Sequence, residues 1–234
     1  MANATVQLEK QDGAQGKDLV SCVKDKARAG APAGTCVWSP SSDALKLALV
    51  LRPAVKMGDY HALPFVAAMG AVDALRSLGK AHEAGIRWPS DLVSGAPDFD
   101  SELACITVSA GAGEGGMFAV VGLSVSREPL ETLALDTDDE EFAADLCDAI
   151  AARVDSWASA LAASKVVAGP LAPVLEEYFD MVPLLGHRAA ALSPNGHPLA
   201  LGTFAGIDVW GRATIKNASA EREFAPEVAR IRAM

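Results

Sequence analysis

Apolar residues along this chain change their spacing several times, and each spacing predicts an element. In "SDALKLALVLRP", Leu45, Leu47, Leu49 and Leu51 alternate, and Ala48 and Val50 between them are apolar too. That pattern predicts a strand buried on both faces and central in a sheet, stopped by Pro53. In "LPFVAAMGAVDALRSLG", Leu63, Val66, Met69, Val72, Leu75 and Leu78 recur at three-residue steps. This predicts a helix with one face on the sheet and Gly79 as its C-terminal cap. The β-rich runs "ELACITVS" and "MFAVVGLSV", joined by "AGAGEGG", predict a hairpin.

Further on, Phe142, Leu146, Ile150, Val154, Trp157 and Leu161 mark a long amphipathic helix. Thr137 and Glu140 have capping-box spacing, and Asp138 to Glu141 sit at the positive end of the helix dipole. A Mg²⁺ site is the sharper reading of these acids, but capping accounts for them without a metal and is preferred. A second helix is expected around "LAPVLEEYFDMV". From Pro183 onward, "RAAAL", "PLALGTFAGID", "GRATIKN" and "REFAPE" are short strand candidates separated by turns. These predict a small β-barrel leaning on a larger unit. Residues 1 to about 30 are polar and rich in Gly and Ala, and are read as a loop-rich entrance. The fold class expected is α+β: a mixed sheet flanked by helices (1–182), then a barrel (183–234).

With 234 residues, half of them apolar and 21% charged, the chain can bury one core or a core with a satellite. A net charge of −10 without a basic stripe argues against nucleic acid. The polar N-terminus and the lack of a long apolar run predict neither a signal peptide nor a membrane span, hence a cytoplasmic protein. Cys22, Cys36, Cys105 and Cys147 are scattered and are read as buried or inert thiols. His61, His82, His187 and His197 lack metal-ligand spacing. Gly111, Gly113 and Gly116 match GxGxxG, but a strand-like run follows them, so the expectation is a hairpin tip and not a dinucleotide loop. No phosphate-binding GxxxxGK[ST] and no GxSxG elbow occur.

One ordered set of segments remains: "WSP", "LVLRP", "RWPSDL", "VVGLSVS" and, near the end, "GIDVWGRATI". Over residues 20 to 232 this set resembles the catalytic and C-terminal domains of biotin–protein ligases, which belong with the lipoate–protein ligases. The resemblance implies a class II synthetase-like fold followed by an SH3-like barrel. It also implies an activity in which biotin and ATP, with Mg²⁺, give biotinyl-adenylate before acyl transfer to a carrier-protein lysine. By the same resemblance, Arg87 is the phosphate-facing cation, Asp91 a polar anchor in the ATP region, and Trp88 and Pro89 fixers of the backbone. Such chemistry needs cations and backbone donors against crowded phosphate charge.

The sequence departs from that pattern where the charge matters. The family's loop reads like GRGRRGRxW. Gly30 and Trp38 fit it, but the residues between them contain no Arg, and Arg28 precedes the Gly. Ser90 replaces the Asn of a KWPND segment, and Ser126 and Ser124 replace residues of a GxGxN strand end that begins at Gly122. Glu102 of "ELACI" takes the place of the Lys in KLAGI, so no residue is assigned a catalytic role. Lys46 stands at a strand position often aromatic in the family, marking an altered pocket or a strand end in solvent. The leading expectation is a degenerate ligase-like protein that binds an acyl ligand or a partner. Its rival is an active ligase drawing donors from Arg28, Lys24, Lys26 and Arg87, or an acyl transferase using Cys105. Cys105 itself is expected to be buried and structural. A carrier protein and a second copy of the chain are the candidate macromolecular partners.

Overall fold

The computed structural model describes residues 6–11, 18–78, 84–94, 101–128, 138–164 and 168–234. Seven strands form a mixed sheet: β1 (Gln7–Lys10), β2 (Thr35–Pro40), β3 (Ala44–Leu51), β4 (Gly85–Arg87), β5 (Asp91–Ser94), β6 (Ser101–Gly113) and β7 (Gly116–Ser126). Their order is β1-β2-β3-β7-β6-β5-β4. Only β1 runs parallel to its neighbour. The alternation in β3 acts as the sequence predicts. Leu45, Leu47 and Leu49 enter the main core, while Ala48 and Val50 enter a smaller cluster on the other face.

The main core lies between the sheet and two helices, α2 (Leu63–Ser77) and α3 (Asp139–Ala163). Arg153 of α3 clamps this layer by binding Asp73 of α2 and Glu177 of the short α4 (Leu175–Asp180). Asp138 caps α3, accepting the N–H of Glu141 at 2.8 Å, one residue later than a box starting at Thr137 would place it. Thr137 and the expected cap Gly79 lie outside the described residues. Asp139 takes a bidentate bond from Arg127 (2.8 and 2.7 Å), which holds its carboxyl below the ordinary range. The acidic cluster is thus used in capping and pairing. Among the described residues no group of three or more His, Cys, Asp or Glu is arranged to hold a metal.

One expectation is corrected, the hairpin forms as expected with a tighter turn, and one further strand is found. The N-terminal stretch is not a loop: it holds β1 and α1 (Leu19–Arg28), the latter capped by Asp18. Its polar composition hid an apolar face of Leu19, Val20, Val23 and Ala27, which packs on Val37, Ala48, Val50, Phe118 and Val120. The glycine-rich "AGAGEGG" is mostly strand, since Gly113 pairs with Gly116 and only Glu114–Gly115 turn. The last strand, β12 (Arg230–Ala233), carries no turn signal of its own and was missed. It joins β8 (Arg188–Leu192), β9 (Pro198–Ile207), β10 (Ala213–Lys216) and β11 (Glu221–Phe224) in an antiparallel sheet ordered β11-β10-β9-β8-β12, a small barrel-like unit. No described helix is long and apolar enough to cross a membrane.

The two sheets meet at the β4–β5 turn. Trp88, fully buried, donates its indole N–H to the Gly211 carbonyl at 3.0 Å. Tyr178 of α4 donates its hydroxyl to the Pro89 carbonyl at 2.7 Å, with its ring edge against Phe65. The Trp88–Pro89 peptide is cis. Burial, followed by the charge on Asp91, pushes the Tyr178 phenol well above its usual range. The unfolded chain releases that proton first, at about pH 10. It therefore binds fewer protons than the folded chain above that pH, and stability falls as pH rises. Thermal melts from pH 7 to 11 are expected to show this alkaline loss. Tyr178→Phe is expected to flatten it and, by orphaning the Pro89 carbonyl, to cost about 1–2 kcal/mol at pH 7.

Candidate functional site

The face of the sheet opposite α2 and α3 is only partly covered. α1 lies over β2, β3 and one end of the β6–β7 hairpin. Beyond α1 no described residue covers the strands, and a cavity of about 260 Å³ opens there. Its walls include Leu19 and Val20 of α1, Lys46 of β3, Cys105 and Thr107 of β6, and Gly122 and Ser124 of β7. Register explains the row of polar groups on its floor: Lys46 pairs with Ser124, and Ser124 pairs with Cys105. Neighbouring side chains in such a row are about 5 Å apart. Among the described residues Lys46 has no ion-pair or hydrogen-bond partner. Gly122 is required by packing, because a Cβ there would meet Val20 Cγ2 at 2.4 Å.

Cys105 is exposed on this floor, which corrects the expectation of a buried structural thiol. Its period-2 position on β6 points it away from the core, whereas Ala104 and Ile106 point inward. Partial burial of the sulfur, and then the charges of Asp91 and Glu102, push its pKa up. A nucleophile needs the opposite setting.

Next to the cavity lies a dense charge cluster. Arg87 ends β4 and is 5% exposed. It binds Asp91 across the hairpin at 3.3 Å and Glu102 of β6 at closer range. Its Nε has no partner among the described residues. Ser90, in the same turn, is buried. From the barrel, Arg232 reaches within 3.8 Å of Asp91, with Arg87 and Arg230 near enough that their charges depress its pKa, after burial. Sequence reasoning gave no role to Arg230 or Arg232, since nothing local marks a strand at the chain's end as part of a distant site.

The remaining candidates lie elsewhere. Gly30 stands in the turn that ends α1. It follows the cap residue of α1 with φ +93°, its N–H bonding Ala27 O, while Ala31 N–H bonds Lys26 O. That is a helix-terminating motif requiring the left-handed region. Arg52 fixes the same turn, donating to Ala27 O (2.8 Å), Ala31 O (3.0 Å) and Gly115 O (3.1 Å). Cys36, Val37 and Trp38 are in strand β2, which turns directly into β3 through Ser41–Asp43. The stretch that the sequence aligns with the family's loop thus comprises the end of α1, a short turn over residues 29–34 and the start of β2. Trp38 is buried on the helix side with Lys10 Nζ over its ring at 5.3 Å. Ser126 ends β7 opposite Ala44, outside the cavity walls. The other basic candidates are engaged: Lys24 with Ser109, Lys26 with Glu9, and Arg28 with Asp25.

Comparison with known proteins supplies the wider setting. A biotin protein ligase-like protein of unknown function from Silicibacter sp. superposes with a TM-score of 0.67 at 19% identity, covering 94% of each chain. The biotin protein ligase from Aquifex aeolicus in complex with biotin and ATP gives 0.70 at 13% identity, covering 98% of this chain and 99% of that one. The biotin acetyl coenzyme A carboxylase synthetase from Helicobacter pylori gives 0.58 at 14% identity, covering 93% and 100%. No curated protein matches in sequence. The family model for the biotin/lipoate A/B protein ligase family matches residues 7–141, more than half of the chain. This protein therefore belongs to the biotin/lipoate A/B protein ligase family.

Proposed function

We propose that this chain keeps the ligase fold as a ligand-binding or regulatory protein with little or no adenylation activity. The observation that carries this reading is the state of Arg87: buried, and neutralised by Asp91 and by Glu102, which stands where the family pattern has Lys. A cation already held by two carboxylates offers little to a triphosphate, and Glu102 adds charge of the wrong sign. Losing a single preorganised donor typically costs about 3 kcal/mol, or 10²–10³ in rate. Several such donors are absent from the pattern together, and their effects do not simply add.

In this reading residues 1–182 carry the ligand site and 183–234 form the barrel that closes one end of it. The protein works in the cytoplasm, away from membranes and nucleic acid, with a biotinyl or lipoyl carrier protein or a second copy of itself as partner. The ligand is a biotin- or lipoate-like acyl compound seated over Gly122, with its carboxylate directed to Lys46, a cavity-wall cation with no partner among the described residues. One observation favours the rival reading of an active ligase using biotin, ATP and Mg²⁺. Arg232 comes from a distant segment to the Arg87 cluster, with an Nη1 that lacks a hydrogen bond among the described residues.

ATP–pyrophosphate exchange with biotin, lipoate or octanoate separates the two readings. The expected result is no exchange above background; exchange at rates typical of working ligases would establish the rival. Calorimetry with the same three acids and with ATP, run separately, is expected to detect an acid and not the nucleotide. Lys46→Met is expected to weaken acid binding about 10-fold or more, the worth of one charge-assisted hydrogen bond. If no small molecule binds or raises the Tm, a pure protein-interaction module replaces the ligand-binding reading.

A further inference from the structure

Two cysteines in the main core, on the other side of the sheet from the cavity, lie close together. Cys36, on β2, points away from α1 into the main core, where α3 brings Cys147 against it. They are 111 positions apart in sequence, both fully buried, with their sulfurs 2.9 Å apart. Apart from a weak 3.9 Å approach of Cys36 Sγ to the Val37 carbonyl, neither sulfur has another hydrogen-bond partner assigned among the described residues. A thiol is a poor hydrogen-bond donor, so this contact contributes little in the reduced form.

We propose that Cys36 and Cys147 form a disulfide that staples β2 to α3 when the protein meets a disulfide oxidant of the glutathione class. The sulfurs have to close by roughly 0.9 Å to reach the covalent distance of about 2.05 Å, a shift that small side-chain rotations supply. One thiolate attacks the oxidant's S–S bond and releases one molecule of its thiol. The second cysteine then attacks the mixed disulfide and releases the other. The protein loses two protons and two electrons, and the oxidant is reduced to two thiols. In the closed fold, the hydrogen bond with Cys36 and burial push the Cys147 thiol well up, keeping it protonated. Reaction therefore proceeds through openings of α3 or during folding, and the closed bond then shields itself from reduction. Cys105, although exposed, has no cysteine beside it, and Cys22 is likewise unpaired. Nothing in this proposal depends on the ligand-binding reading.

The test uses the full chain, reduced and unfolded, then refolded at pH 8 in a reduced/oxidised glutathione buffer. Remaining thiols are blocked, and digests are mapped by mass spectrometry. The expected product is a Cys36–Cys147 linked peptide, lighter by two hydrogens than the reduced pair, with a Tm higher by roughly 10 °C. Cys36→Ser and Cys147→Ser each lose the link and the Tm gain, whereas Cys105→Ser keeps both. Recovery of Cys36 and Cys147 as blocked thiols, as glutathione adducts or in other pairings would overturn the proposal. The wild-type map alone decides the matter if a serine variant fails to fold.

Discussion

A guanidinium that is only 5% exposed has to find its counter-charge inside the protein, and Arg87 finds it in Asp91 and Glu102. Removing an ion from water costs several kcal/mol, and breaking a buried pair leaves an uncompensated charge. The hairpin carrying Arg87 is accordingly held from three directions: by Glu102 on β6, by Tyr178 on α4 and by Gly211 of the barrel through Trp88. The chemistry available beside the cavity follows from how that one charge is balanced, and the barrel meets the main sheet at the same hairpin.

The sheet divides its two faces between different tasks. On one side α2 and α3 form an apolar core clamped by Arg153. On the other, α1 covers part of the strands, and the part that no described residue covers holds the row Lys46–Ser124–Cys105. Arg52 locks the end of α1 to the hairpin tip through backbone carbonyls. Arg52 thereby ties the turn after α1, where the family pattern has its loop, to the β6–β7 hairpin.

Likeness to biotin ligases at 13–19% identity with TM-scores of 0.58–0.70 fits this separation. A fold needs apolar residues at the right period, and many residues satisfy that demand. Site chemistry needs particular charges at particular points, and one change such as Lys to Glu reverses its sign. The framework and the site can therefore diverge independently.

The sequence by itself determined the central strand, the helices α2 and α3, the long hairpin and the strand-rich C-terminal part, because period-2 and helical apolar spacing are local signals. It also determined the charge departures, which are matters of residue identity. It obscured α1, whose polar and small residues masked a short apolar face, and it missed β12, a four-residue strand paired only with the distant β8. Only the tertiary structure decided that Gly30 ends a helix, that Cys105 faces outward, that Arg87 is already neutralised, and that Arg232 stands beside it. Each of these depends on which groups from remote segments come within a few ångströms, and the pairing and packing that bring them together are not encoded in any one stretch of sequence.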